Sequence, residues 1–502
     1  MTGEADLSLG QRISRILALD PGAVAVEYED QTVTWGDLAD ASRQIEALIA
    51  DAGVARDLPV GWAARNRPTA VAAFVGLMEH ERMVAPLRPD YAVATFREDI
   101  RAQRLAVVIG EAKDWAGEGV VEAAREVGSL GIQISGPPFT ATLVPELSRP
   151  GPGPHRPPMP GYVLERLTSG TTGPPKRIPV PKEVLIPALR AGEQTSKAAG
   201  GELRLQRSPA LLLKPFSHAG GLFGLLLSLY QARPIVLFER FKVEAWVAAV
   251  RKYRPKSANL VPTMIRMLME SDVNPEDLSS LLAMRTGTAP LEPEIQSAFE
   301  ARFGIPILID YGAAEFIGGL AGWTIDEHRA FGQAKRGSVG RARRDVQIRA
   351  AHPDTGAPQP AGEIGLIEIK GERYGPDWIR TNDLALIDSD GFIFLKGRAD
   401  DAINRGGFKI LPEEVAAVLR QHPAVGDAAV IGAPDPRLGA VPIAAIELPP
   451  GGVAPDSASL DAFVRERLPA YMAPVAYHVV AALPRTSSMK VARPELRALL
   501  GI

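Results

Sequence analysis

The sequence predicts an α/β protein with more than one domain. The chain has 502 residues, which is more than a single hydrophobic core ordinarily serves. Along its N-terminal part, short apolar runs typical of buried strands alternate with longer segments of helical periodicity. This alternation is typical of layered α/β domains, in which helices cover the faces of a sheet.

The first hundred residues show the alternation most clearly. Residues 24–34 are predicted to form two short strands around a turn at 29–31. Thr34 then provides the N-cap of a helix that extends to about Ala50 and presents one apolar stripe. The elements predicted after it are a strand near 58–62, a helix over 68–80, and buried strands over 82–87 and 105–110.

Composition argues against several functional classes. The net charge of −3 does not fit a general nucleic-acid binder. Because the chain has no cysteine, it has no disulfide, cysteine nucleophile or thiolate metal site, and its seven histidines lack the spacing of a zinc site. The N-terminus does not resemble a signal peptide, and the apolar stretch 220–230 is too short to span a bilayer. We therefore expect a cytoplasmic protein without stable membrane insertion.

A stretch rich in glycine and hydroxyl residues, LTSGTTGPPK at 167–176, is the first chemical signal. Its glycines allow the backbone N–H groups to approach a ligand, and its hydroxyls and lysine suit a polyphosphate. A polar surface loop is the alternative. The P-loop pattern does not fit, because Pro175 and Arg177 occupy its second glycine and its hydroxyl position. The residues assigned to phosphate are Thr168, Ser169, Gly170, Thr171, Thr172, Gly173 and Lys176.

This stretch closely resembles the phosphate-binding signature of the acyl-adenylate-forming enzymes, which include acyl-CoA synthetases, adenylation domains and luciferases. Further segments of the family's pattern follow in the family's order, so the resemblance covers nearly the whole chain. These segments are KPFSHAGG at 214–221, TGTAPL at 286–291, IDYGAAEF at 309–316, GEIGLIEIKG at 362–371, WIRTND at 378–383, GRADDAINRGGFK at 397–409 and PRTSSMKVAR at 484–493.

The resemblance implies a nucleotide site. In it, Tyr311 stacks on adenine, Asp383 accepts hydrogen bonds from the ribose hydroxyls, and Arg398 contacts ribose or phosphate. Glu315 helps to hold Mg²⁺, with Thr168 as a second ligand. The other residues assigned to ATP or AMP are Gly287, Thr288, Ala289 and Pro290 of the adenine shelf, and Asp310, Gly312 and Ala314 around Tyr311.

The resemblance also assigns catalytic, acyl-binding and thiol-binding groups. His218 borders the acyl pocket, Lys490 is the cation of the first reaction step, and these two residues with Glu315 form the catalytic set. The CoA-binding wall implied for CoA ligases is a basic, glycine-rich loop, for which the residues alone also allow a hairpin turn. This loop consists of Arg405, Gly406, Gly407 and Phe408.

The implied architecture has two domains. Residues 1–396 form a large domain of layered βα sheets with a small β-barrel-like subdomain. Residues 397–502 form a small mobile α/β domain that turns about a hinge at Asp400. Four positions depart from the expected pattern, at Arg177, Ala314, Asn382 and Met489.

The implied reaction ligates a small carboxylic acid to CoA through an acyl-adenylate, with ATP and Mg²⁺ and with release of pyrophosphate and AMP. A small, apolar pocket lining without an evident cation for a second carboxylate favours a fatty or aromatic monocarboxylate. Two alternatives stay open: an adenylating enzyme that loads a carrier protein in trans, and a nucleotide-binding homologue that has lost turnover, which the four departures motivate. A homodimer is also left open.

Overall fold

Strands and helices alternate through the first third of the chain, as predicted. The computed structural model describes residues 7–167, 176–194, 203–313, 316–486 and 489–502. All the elements predicted before residue 110 are present, close to their expected bounds. The elements up to residue 167 are α1 (Leu9–Leu19), β1 (Val24–Tyr28), β2 (Gln31–Thr34), α2 (Trp35–Asp51), β3 (Val60–Ala63), α3 (Pro68–Glu79), β4 (Val84–Leu87), α4 (Val93–Gln103), β5 (Val107–Gly110), α5 (Ala112–Trp115), α6 (Val120–Glu126), β6 (Leu130–Ser135), β7 (Thr140–Leu143) and β8 (Tyr162–Leu167).

Local sequence explains where these helices start and which faces they bury. Thr34 caps α2 by accepting the Asp37 N–H at 3.1 Å, and the Asp37 carboxylate accepts the Thr34 N–H at 2.8 Å. Pro68 occupies the first turn of α3, where its missing N–H is harmless. Because α3 is apolar all round, it is buried along nearly its whole length, and it packs against α1 and α2.

The middle of the chain repeats the strand–helix alternation. Among the predicted segments, 241–268 forms a helix, a strand and a second helix, as expected. The elements from 177 to 342 are β9 (Arg177–Pro181), α7 (Lys182–Gln194), β10 (Ala210–Leu212), α8 (Ala219–Tyr230), β11 (Ile235–Leu237), α9 (Val243–Tyr253), β12 (Ser257–Asn259), α10 (Pro262–Met269), β13 (Ala283–Gly287), α11 (Pro293–Phe303), β14 (Ile307–Tyr311), β15 (Ala321–Gly322), α12 (Ile325–Phe331) and β16 (Arg341–Ala342).

Three sheets organise this large N-terminal part. The strand orders are β7-β6-β5-β3-β4-β8-β9, β10-β11-β1-β2 and β12-β13-β14-β15-β16. The pairs β12–β13 and β13–β14 are parallel, so the carboxyl ends of these strands meet at one edge. That edge carries Gly287 opposite Asp310, with Tyr311 next to it. Ligands bind outside the carboxyl ends of parallel strands in open α/β sheets, and the predicted adenine site lies at such an edge.

The predicted barrel-like subdomain is a four-stranded antiparallel sheet in the order β17-β18-β19-β20. Apolar and polar residues alternate along 362–371, a pattern that predicts a strand with one buried face, and this prediction is wrong. Gly365–Ile369 is buried without interruption, and Glu368 is buried because Arg349 and Arg380 pair with its carboxylate at 2.8 and 3.0 Å. The strands are β17 (Val346–Ala351), β18 (Ile364–Gly371), β19 (Gly375–Ile387) and β20 (Ile393–Arg398).

The C-terminal hundred residues form a small α/β unit with its own hydrophobic core, which agrees with the prediction. The core contains Val415 and Leu419 of the first helix and Leu460 and Val464 of the second. A five-stranded sheet supports both helices. The elements are β21 (Ile403–Arg405), β22 (Phe408–Ile410), α13 (Pro412–Leu419), β23 (Asp427–Asp435), β24 (Gly439–Glu447), α14 (Ser457–Arg467), β25 (Ala476–Val480) and α15 (Arg493–Leu499).

Across the described ranges, none of the helices is both long and apolar enough to cross a bilayer. The apolar run at 222–229 lies in α8, where Leu222, Leu225, Leu226 and Leu229 are buried in the core.

Candidate active site

Three predicted nucleotide-binding residues lie side by side. The Tyr311 hydroxyl donates to Asp383 Oδ2 at 2.6 Å, and Arg398 Nη1 lies 3.6 Å from Asp383 Oδ1. The strands β19 and β20 pair Asp383 directly opposite Arg398. An aromatic ring, a carboxylate and a permanently charged guanidinium are thus available together to a base, a ribose and a phosphate.

The predicted hinge residue is joined to this group. Asp400 accepts two hydrogen bonds from Arg398, at 2.9 and 2.8 Å, and one from Asn382 Nδ2 at 3.2 Å. Hydrogen bonding to Arg398 lowers the pKa of the Asp400 carboxyl. Asn382, one of the four departures from the expected pattern, therefore bonds the Asp400 carboxylate directly.

Lys490 of the C-terminal domain lies within electrostatic range of the same group. Burial lowers the pKa of Lys490; the Asp383 carboxylate opposes this shift, and Arg398 adds to it. Lys490 in turn acts to lower the pKa of both His218 and Lys214. The predicted catalytic lysine thus lies within electrostatic range of residues assigned to ribose and to the acyl pocket.

His218 is the N-cap residue of α8, at the end of a loop fixed by Asn66. The Asn66 side chain accepts the Phe216 N–H at 2.9 Å and donates to the Lys214 carbonyl at 3.1 Å. Burial, with the nearby charges of Lys490 and Arg88, lowers the pKa of His218 to about 4. The imidazole is therefore neutral near pH 7 and can act as a hydrogen-bonding wall without adding charge.

Lys214 is a further lysine near these groups, and sequence reasoning did not assign it. Burial lowers the pKa of Lys214, the Asp310 carboxylate opposes this shift, and Lys490 adds to it. Arg88 also lies within electrostatic range of His218, and its guanidinium stacks on Tyr91. The signal available in the sequence was a lysine four positions before His218, inside the segment matched for its histidine.

The predicted adenine shelf has tight backbone geometry. A Cβ atom at Gly287 would lie 2.5 Å from the Asp310 carbonyl oxygen, so only glycine fits there. Thr288 has a φ of +72°, which is rare for a residue with a side chain. The Asp310 carboxylate pairs with Arg343 at 2.6 Å and with Arg285 at 2.9 Å. These contacts fix the ends of β13 and β14. Ala289 and Pro290 follow the first of these strands, and Gly312 follows the second.

Three side chains hold the backbone that follows the predicted magnesium ligand. Arg166 donates to the Phe316 carbonyl at 2.7 Å, and Arg373 and the Tyr374 hydroxyl donate to the Ile317 carbonyl at 2.9 and 2.8 Å. Arg166 is the last residue but one of β8, the strand that leads into the predicted phosphate loop. This anchoring, which sequence reasoning missed, ties the phosphate-loop strand to the segment after Glu315.

Several predicted site residues lie outside the described ranges, and their roles stay predictions. Lys176, at the end of the phosphate stretch, is described and exposed. Within the described part of the chain, no group of three or more His, Asp or Glu side chains is arranged to hold a metal ion. The predicted residues outside those ranges are Thr168, Ser169, Gly170, Thr171, Thr172, Gly173, Ala314 and Glu315.

The predicted CoA-binding loop is a two-residue hairpin turn between β21 and β22. Gly406 and Gly407 both have positive φ angles, +56° and +91°, as such a turn requires. Arg405 donates to the Tyr471 carbonyl at 2.6 Å, while Phe408 is 56% exposed and stacks on the Tyr471 ring. The loop therefore forms the hairpin turn that the residues alone also allowed. Its role in thiol binding stays a prediction.

Two other departures have structural explanations. Arg177 holds both Asp99 oxygens at 2.8 Å and lies 3.3 Å from Glu165, so it braces β9 and β8. Met489 has a φ of +64°, and its half-buried side chain packs against a core cluster formed by residues of the large domain. Met489 stands where the resembled family has glycine, and its side chain contacts the large domain from a left-handed backbone.

The family relationship is established by comparison with known proteins. The profile of the family described as AMP-binding enzyme matches residues 14–375. The profile described as the AMP-binding enzyme C-terminal domain matches residues 414–490. The chain belongs to the AMP-binding enzyme family, the adenylate-forming enzymes that its motifs indicated.

Similar curated proteins include CoA ligases. The sulfoacetate–CoA ligase of Cupriavidus necator is 30% identical over 394 residues, which cover 75% of each chain. The 4-coumarate–CoA ligase-like 9 of Oryza sativa is 30% identical over 354 residues; this match covers 66% of the present chain and 62% of the rice protein. The present chain thus spans less than two thirds of that relative's length.

Similar solved structures confirm the fold. ATP-bound MatB from Rhodopseudomonas palustris has a TM-score of 0.81 at 21% identity and covers 98% of this chain and 99% of its own. The amide bond synthetase McbA from Marinactinospora thermotolerans has a TM-score of 0.79 at 24% identity, with coverage of 98% and 100%. Both likenesses extend over the large and the small domain.

Proposed function

We propose that this protein is an AMP-forming carboxylic acid–CoA ligase that acts through an acyl-adenylate. One observation carries the proposal: Lys490, from the small domain, lies within electrostatic range of Asp383, Arg398 and His218, and Asp383 contacts both Tyr311 and Arg398. All five side chains lie in segments that match family motifs far apart in the sequence.

The first half-reaction needs cations more than it needs a base. The acid is already ionised at neutral pH, and its oxygen attacks the α-phosphorus of ATP. The bond from that phosphorus to the bridging oxygen breaks, and pyrophosphate leaves with the electron pair. Negative charge accumulates on the α-phosphate during attack, and a preorganised ammonium group such as that of Lys490 stabilises it. His218 stays neutral and so does not trap the incoming carboxylate as an ion pair.

We assign the nucleotide to the residues around Asp383. Tyr311 offers its ring to adenine, the shelf at 287–290 offers backbone at close range, and the Asp383 carboxylate accepts the ribose hydroxyls. Magnesium, when bound, supplies charge neutralisation at the phosphate oxygens. Its proposed ligands, Thr168 and Glu315, lie outside the described ranges.

In the second half-reaction, the CoA sulfur attacks the acyl carbon, the bond to the AMP oxygen breaks, and the thiol proton is released. We propose that the hairpin Arg405–Phe408 lines the approach of the thiol after the small domain turns about Asp400. The exposed ring of Phe408 and the basic side chain of Arg405 suit a pantetheine arm with its phosphates. A carrier protein and an amine are the alternative acceptors, and the amide bond synthetase similarity motivates the second of them.

The acyl substrate proposed first is a fatty or aromatic monocarboxylate, because the pocket lining after His218 is small and apolar. Lys214 favours a second candidate, a short acid with an additional anionic group. Lys214 lies within electrostatic range of Asp310 and Lys490, where it could pair with a second carboxylate or a sulfonate. The similarity to a sulfoacetate–CoA ligase supports the same candidate.

Pyrophosphate release with ATP and Mg²⁺ tests the proposal across an acid panel of octanoate, benzoate, malonate and sulfoacetate. We expect release with at least one acid and, after CoA is added, stoichiometric acyl-CoA and AMP. Lys490→Gln serves as the matched inactive control. ATP binding without pyrophosphate release for any acid of a broadened panel would favour the homologue without turnover. Adenylate that reacts only with a carrier protein or an amine would move the chain to another acceptor class.

A further inference from the structure

A cluster of buried charges joins the two domains. The large domain contributes Arg266 of α10 and Glu292, the N-cap residue of α11. The small domain contributes Arg420, at the end of α13, and Asp427, at the start of β23. Arg420 and Glu292 are each only 11% exposed. We call these four residues the interdomain charge cluster.

The contacts within this cluster cross the domain boundary. Arg420 Nε lies 2.7 Å from Glu292 Oε1, and Arg266 Nη1 lies 3.8 Å from Asp427 Oδ2. Arg420 also lies 3.7 Å from Asp427 within the small domain. Burial acts to lower the pKa of Arg420, but the carboxylates of Glu413, Glu292 and Asp427 outweigh it and raise that pKa. Arg420 therefore keeps its positive charge at the domain boundary.

Each half of the cluster also has an ion-pair partner in its own domain. Arg266 pairs with Glu292 in the large domain. Arg420 pairs with Glu413, and Asp427 pairs with Arg485 at 2.6 Å, in the small domain. Separation of the domains would therefore leave none of these four charges without a partner. An uncompensated buried charge is strongly destabilising, so this internal pairing is what a contact that opens and closes requires.

The cluster is linked to Lys490 through one short segment. Arg485, which pairs with Asp427, lies five positions before Lys490 and donates to the Met489 carbonyl at 3.4 Å. The Thr486 N–H bonds the Lys490 carbonyl at 2.8 Å and closes the turn that carries the lysine. The Arg485 guanidinium and the backbone that follows it therefore connect the cluster to Lys490.

From this geometry we infer that Glu292 and Arg420 are positioning residues for Lys490. Their contact holds the small domain in the orientation that serves adenylation, and its loss releases the domain for the thiol step. The inference rests on the proposed function, since it assigns the described orientation to the first half-reaction. The Glu292–Arg420 contact is the one that maintains that orientation. Its loss should affect one half-reaction only.

Single-turnover kinetics of the two half-reactions in Glu292→Gln tests the inference. The substitution keeps the side-chain shape and removes the charge that faces Arg420. We expect acyl-adenylate formation to slow about tenfold, which corresponds to roughly 1.4 kcal/mol. Conversion of preformed acyl-adenylate and CoA to thioester should stay within about twofold of the natural protein. Arg420→Gln should give the same split, and the double variant should be no slower than either single variant, because both remove one shared contact.

Glu46→Gln is the matched control. Glu46 pairs with the buried Arg82 at 2.7 Å, so this pair is as buried as the cluster but lies within the large domain. Glu46→Gln should lower stability and leave the ratio of the two half-reaction rates unchanged. Equal slowing of both half-reactions in Glu292→Gln, or additive effects in the double variant, would overturn the inference. Failure of the natural protein to form any adenylate would instead overturn the proposed function.

Discussion

The left-handed backbone at Met489 permits a prediction that separates strain from packing. At a φ of +64°, a residue with a Cβ atom is about 1 kcal/mol less favourable than glycine. Truncation of a fully buried methionine to alanine costs about 2–5 kcal/mol. Because the Met489 side chain is only half-buried against the large-domain cluster, we expect about 1–2 kcal/mol for Met489→Ala. Met489→Gly loses the same contact and removes the strain, so it should be about 1 kcal/mol more stable than the alanine variant.

Hydrogen exchange of the segment 484–493 measures this difference locally. The amides of Thr486, Met489 and Ala492 are bonded within the turn that carries Lys490. A difference of about 1 kcal/mol corresponds to roughly fivefold in the exchange rate, with the alanine variant exchanging faster. Both variants should also slow adenylation, since both lose the contact with the large domain. Identical exchange in the alanine and glycine variants would refute the left-handed assignment, and unchanged adenylation in both would refute the docking role.

Three further predictions concern the candidate active site. Asp383→Ala removes the partner of Tyr311 and the proposed ribose acceptor, so ATP affinity measured by calorimetry should fall by about 1.5–3 kcal/mol; an unchanged affinity would remove the assignment. His218 has a pKa near 4 in the folded protein and about 6.5 when unfolded, so the unfolded state binds more protons between these values. Stability should therefore fall by about 1–2 kcal/mol as pH drops from 7 to 5, and His218→Asn should remove that component; an identical pH dependence in both proteins would contradict the burial of the imidazole. Lys490 has a lowered pKa and must be protonated to act, so kcat/KM should decline on the alkaline side below the ordinary lysine value of about 10.4; in Asp383→Asn, the loss of the opposing carboxylate should move this decline to lower pH.

The sequence predicts the fold well because its signals are local. Thr34 and Asp37 form a capping box, Pro412 starts α13 at its first turn, and Gly406 with Gly407 favours a tight turn. Each of these depends on residues a few positions apart. The helix α4 was not predicted because only Phe96 and Ile100 are buried on it, which gives a weak periodic signal.

Contacts between distant segments are what sequence reasoning missed. Alternation along β18 indicated one exposed face, but Glu368 is buried because Arg349 and Arg380 reach it from neighbouring strands. Lys214 lies in a segment in which only the histidine was assigned a role. Its electrostatic interactions are with Asp310 and Lys490, which are far away in the chain. Likewise, the pairing of Arg420 with Glu292 spans the two domains and has no pattern in the sequence.

The proposed mechanism requires that Lys490 serves one half-reaction only. Single-turnover kinetics of Lys490→Ala, with each half-reaction measured separately, tests it. We predict that acyl-adenylate formation becomes very slow, because the cation that the α-phosphate needs is absent. Preformed acyl-adenylate and CoA should still yield thioester at close to the natural rate. Equal losses in both half-reactions would contradict the account.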